Sequence, residues 1–160
     1  MSFDKNKLWI ASIGALIALS MSTTPVDAQA NSHVGMRVGY NHRTQEVLLS
    51  ANLLVPMTSR IFFYPSLDVY LPEDGNRIGF NGDIKVALPG AATGPQLYAG
   101  AGIGVVNRNE EGFSNSDLGA NLLFGVESQI GWIHPFAEGK IMLHNQSQLQ
   151  LIAGVNITLR

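Results

Sequence analysis

Arg77-Ile78-Gly79-Phe80-Asn81-Gly82-Asp83-Ile84-Lys85-Val86-Ala87-Leu88 sorts its residues into two sets, one position at a time. Ile78, Phe80, Gly82, Ile84, Val86 and Leu88 form one set and carry no polar side chain. Arg77, Asn81, Asp83 and Lys85 all fall in the other, beside Gly79 and Ala87. Successive side chains of a β-strand point to opposite faces, so this period of two predicts a strand over Arg77–Leu88 with one apolar and one charged face.

The same alternation recurs on both sides of this stretch. It predicts strands over about His33–Tyr40, Glu46–Val55 and Arg60–Leu71 before it, and Gln96–Val106, Asp117–Glu127, Trp132–Leu143 and Gln148–Leu159 after it. In all eight the apolar face lacks charge. The opposite face holds Arg37, Asp68, Arg77, Asp83, Lys85, Glu127, Glu138 and Lys140, four bases against four acids. A tilted strand needs roughly 9–11 residues to cross a bilayer, and most of these reach that length. Apolar residues facing acyl chains around a polar interior are the pattern of a closed barrel in lipid.

The interior can be argued from the same pattern. An eight-stranded barrel is just wide enough for its side chains to fill it. Charges there must pair or be hydrated, and four of each sign permit pairing. Gly35, Gly39, Gly79, Gly100, Gly102, Gly104, Gly119, Gly125 and Gly154 fall on the charged face, which leaves room for Arg, Lys and Tyr from neighbouring strands. Trp132 also falls on that face. The Ala-Gly-Ala-Gly-Ile-Gly run at 99–104 is no nucleotide loop, because its glycines alternate inside a strand and no helix follows. Alternation alone does not say which face is inside. A secreted soluble barrel holding a small apolar ligand, in the lipocalin-like manner, would reverse the two faces.

An even strand number puts both termini on one side, the periplasmic one in bacterial barrels. The turns there are expected at about Pro56–Ser59, Pro89–Pro95 and Ser128–Gly131. The outer connections are expected at Asn41–Gln45, Pro72–Asn76, Asn107–Ser116 and His144–Ser147, with Asn107–Ser116 the longest. Tyr40, Phe63, Phe80 and Phe124 are available to the membrane interfaces.

The first 30 residues read as an export signal. Lys5 and Lys7 precede the uncharged run Leu8–Met21, and a polar stretch ends at Val26-Asp27-Ala28-Gln29-Ala30. These are the three regions of a secretory signal peptide, with cleavage expected after Ala30 or Ala28. The apolar run is short for a spanning helix, which needs roughly 20 residues. About 130 residues then remain, enough for one small domain. The chain has no cysteine, so neither a lipoprotein signal nor a disulfide framework is available. Its net charge of −2 and lack of a basic patch exclude a nucleic-acid partner.

The segment Trp132-Ile133-His134-Pro135-Phe136-Ala137-Glu138-Gly139-Lys140, followed by Leu151-Ile152-Ala153-Gly154-Val155-Asn156-Ile157, resembles the last hairpin of small bacterial outer-membrane β-barrel proteins. There the penultimate strand often reads Pro-aromatic-x-Glu-x-basic and the last aliphatic-x-Gly-aliphatic-x-aliphatic. The motif covers residues 132–159, and the architecture covers the mature chain. The resemblance implies an all-β, eight-stranded antiparallel up-and-down barrel of the opacity-like or OmpA-transmembrane-like kind. It implies outer-membrane lipid and lipopolysaccharide as surroundings and the outer-membrane assembly machinery as a partner during insertion. One departure is the ending Thr158-Leu159-Arg160, where such chains usually carry an aromatic residue that the machinery reads.

Some small outer-membrane barrels are enzymes. Lipid A deacylases carry a Ser–His–acid set on the lipid-facing surface, and the apolar face here has no Ser, His, Asp or Glu. Palmitoyl transferases hold an acyl chain in an apolar barrel, whereas this lumen is charged. The histidines His33, His42, His134 and His144 do not have the spacing of a metal site. Glu138 and Lys140, two apart on one face, read as lumen partners and not as an acid–base pair. The sequence therefore predicts no catalytic residue, cofactor or metal. It predicts a structural or surface-interaction barrel with a filled lumen, not a general diffusion porin.

Overall fold

A computed structural model describes residues 31–72, 76–89, 94–110, 113–128, 130–143 and 147–159. The expected signal segment 1–30, His144 and Arg160 lie outside them. The described residues form β1 (His33–Asn41), β2 (Glu46–Pro56), β3 (Ile61–Leu71), β4 (Asn76–Ala87), β5 (Gln96–Glu110), β6 (Phe113–Glu127), β7 (Ile133–Leu143) and β8 (Gln148–Thr158). Each strand pairs antiparallel with the next. β8 returns to pair antiparallel with β1, from His33 opposite Thr158 to Asn41 opposite Gln150, and the sheet closes into a barrel. Closure leaves no free sheet edge along the wall, which is the condition for a β structure in lipid.

The facing follows the sequence pattern. Arg37, Ser50, Asp68, Asn81, Asp83, Glu138 and Lys140 are buried inside, while Met36, Leu49, Ile84, Ile103, Leu122 and Leu151 are exposed on the outer wall. The reversed arrangement of a soluble ligand-binding barrel is therefore not what the chain adopts. Its apolar set lies outside.

Two prolines sit within strands without breaking the barrel. Pro65 cannot donate to the ladder, and the β2–β3 pairing lapses beside it, between Asn52–Ser66 and Val55–Phe63, and resumes in the same register. Pro135 lies near the start of β7, where its carbonyl still accepts from Ser128 N at 2.8 Å. On the outer wall Phe124 lies directly opposite Gly139. A Cβ at Gly139 would come within 2.8 Å of the Phe124 ring, so the ring covers the glycine and shields the backbone that a side chain would otherwise cover.

The largest departure from the expected strands is at one hairpin. β5 runs on to Glu110 and β6 begins at Phe113, with Asn107 opposite Ser116 and Glu110 opposite Phe113. The expected connection Asn107–Ser116 is thus mostly strand. Its Asn, Ser and Arg residues give no apolar face to read, yet the backbone pairing continues through them. Trp132 is a second correction. It precedes β7 in the turn after Gly131 and is 53% exposed, so it points away from the lumen. Asn41, expected in a loop, ends β1 and is fully buried.

Candidate functional site: the lumen network

The inward positions meet across the barrel in one connected ring. Arg37 on β1 donates through Nη2 to Asp68 Oδ1 at 2.9 Å and Ser66 Oγ at 2.6 Å. Through Nη1 it donates to Tyr64 Oη at 2.9 Å and Glu138 Oε1 at 3.4 Å. Asp68 on β3 also accepts from Ser50 Oγ at 2.6 Å and Asn81 Nδ2 at 2.8 Å. Asn121 Nδ2 bridges Asn81 Oδ1 at 3.0 Å and Asp83 Oδ1 at 2.8 Å. Asp83 Oδ2 lies 3.3 Å from Lys140 Nζ. The chain of contacts starts at Glu138 and ends at Lys140, both on β7. Glu138 is held on its other oxygen by Tyr98 Oη at 3.0 Å.

Glycine makes the ring possible. A Cβ on Gly125 would lie 2.5 Å from the Tyr98 ring and hydroxyl, and one on Gly102 would collide with Asp83. The missing side chains are the space into which Tyr98 and Asp83 fold. In those places Tyr98 reaches Glu138 and Asp83 reaches Asn121.

Smaller groups flank the ring. Toward the termini, Lys85 Nζ pairs with Glu127 Oε2 at 2.9 Å and lies 3.6 Å from the centre of the Tyr98 ring. Asn156 donates to the same Glu127 oxygen and accepts from Asn52. His33 and His134 stack with ring centres 4.6 Å apart, and His134 Nε2 is 2.8 Å from Thr158 Oγ1. Toward the opposite end, Arg77 pairs with Glu46 at 2.7 Å, donates to Gln148 and lies over the Tyr70 ring. Two apolar clusters complete the filling. Leu48, Tyr70, Val106 and Met142 lie toward the Arg77 end, and Leu54, Tyr64, Tyr98 and Leu123 with Phe62 toward the Lys85 end.

The eight charges read from the sequence are all inside and all in ion pairs, but not as four couples. Arg37 holds two acids, Asp68 and Glu138, and Arg77 pairs with Glu46. Glu46 was missed because it opens its strand beside a turn, although it shares the inward parity of Leu48. The buried amides Asn52, Asn81, Asn121 and Asn156 were also missed as network members. Their parity was readable, but uncharged residues attract no attention in a charge count.

No family model matches the chain, and no curated protein matches its sequence. Solved structures share its fold. The N-terminal β-barrel domain of Pseudomonas aeruginosa OprF superposes with a TM-score of 0.71 at 13% identity, covering 82% of this chain and 98% of that one. Neisserial surface protein A superposes with a TM-score of 0.59 at 11% identity, covering 81% and 95%. The outer membrane enzyme PagL gives 0.51 at 13% identity, covering 79% and 99%. At these identities the likeness is one of fold, the small closed barrel of outer-membrane proteins.

Proposed function

We propose that this chain is a small outer-membrane barrel with a structural or surface-interaction role in the cell envelope, and neither an enzyme nor a general diffusion porin. The observation that carries the reading is the facing. An apolar outer wall surrounds an interior whose charges are buried and paired, an arrangement that would be unstable in water and is suited to lipid. Membrane lipid would contact the wall along all eight strands, with lipopolysaccharide around the β5–β6 hairpin. The assembly machinery would act during insertion, after removal of residues 1–30. Support for a non-enzymatic role comes from the outer wall, where the described strands present no His, Asp or Glu.

The test is outer-membrane fractionation of the full chain expressed in a Gram-negative host, with boiled and unboiled samples compared on a detergent gel. A band in the outer-membrane fraction that shifts on boiling is expected. A soluble periplasmic product without the shift would overturn the proposal.

A further inference from the structure

The end of the barrel where both termini meet opens into a cavity of about 290 Å³. Phe62 and Tyr98 line it together with Arg60, Lys85, His33 and Glu127. Glu127 and Lys85 neutralise each other at 2.9 Å. Arg60 is left as the surplus charge, because among the described residues its guanidinium has no ion-pair or hydrogen-bond partner.

We propose that this cavity binds a small organic carboxylate with an apolar body. The carboxylate would be held by Arg60, whose planar fork matches its two oxygens, with the body against Phe62 and Tyr98. The volume sits at the lower limit of ligand pockets, roughly 300 Å³, which restricts the ligand to the size of a single ring or short chain. Glu127 opposes a second negative charge, so a monoanion fits better than a dianion. The proposal rests on the closed barrel and not on the envelope role.

The experiment uses the processed chain folded into nanodiscs of uncharged phosphatidylcholine, with benzoate as the probe and benzamide as its neutral counterpart. Binding is followed by saturation-transfer NMR. Saturable benzoate binding is expected, weakened at least about tenfold both in benzamide and in the Arg60→Gln protein. Arg43→Gln, at the other end of the barrel, should leave it unchanged. Equal binding of the two probes, indifference to Arg60→Gln, or the same signal from empty discs would each overturn the proposal. A heat-shift gel on the same samples reports closure of the barrel, so a negative result in a closed barrel counts against the cavity and leaves the envelope role standing.

Discussion

Asp68 shows what a single lumen residue does. It is fully buried and accepts from a guanidinium, a hydroxyl and an amide on three other strands. Asp68→Asn keeps its shape and removes its charge, leaving Arg37 with Glu138 at 3.4 Å as its remaining acid. Breaking a buried ion pair from one side costs about 3–5 kcal/mol, so a large drop in the urea midpoint of the vesicle-folded barrel is expected. Arg108→Gln is the contrast. Its pair with Asp117 spans 4.0 Å and is about a third exposed, so a change under about 1 kcal/mol should follow. The identity of the buried charges was legible in the sequence because parity alone sends Arg37, Asp68 and Glu138 inward. Their partnerships were not. Arg37 and Glu138 are 101 residues apart, and which strands face each other across the lumen depends on closure and tilt, which alternation does not encode.

At the level of the strand, position along the barrel decides what a substitution costs. Ile84 on β4 lies on the outer wall between Phe80 and Leu88, within the apolar belt. Ile84→Lys should destabilise the folded barrel by about 2–4 kcal/mol if that belt faces the middle of a bilayer. Ser116 on β6 has the same outward parity but lies on the protruding hairpin, and Ser116→Lys should be close to neutral. The two are compared by unfolding titration in the same vesicles. A similar cost at both positions would contradict the depth assignment. This hairpin also marks where strand reading from sequence stops. Apolar alternation fades along this hairpin while backbone pairing continues, as between Asn107 and Ser116. Trp132 fails for the opposite reason: it extends the alternation of β7 by one residue into a turn begun by Gly131 at φ 63°.

For the whole molecule, the filling of the interior sets its permeability. The hydrogen-bonded ring lies between the cluster of Leu48, Tyr70, Val106 and Met142 and that of Leu54, Tyr64, Tyr98 and Leu123. In a planar bilayer the protein should give no porin-like conductance steps. Combined truncation, Leu48→Ala with Met142→Ala, should raise ion leakage if the upper cluster is a constriction, with the heat-shift gel verifying that the variant still closes. The closing seam has a separate consequence for biogenesis. Because His33 pairs with Thr158, the first strand must wait, unpaired on one side, until all eleven residues of β8 have been made. Bringing such distant segments together is slow, since loop-closure entropy precedes any reward from contact. A chain cut short before β8 would present two raw edges, on β1 and β7, each a template for another strand. Ribosomal stalling or proteolytic clipping at this point would therefore convert a closed barrel into a seed for aggregation.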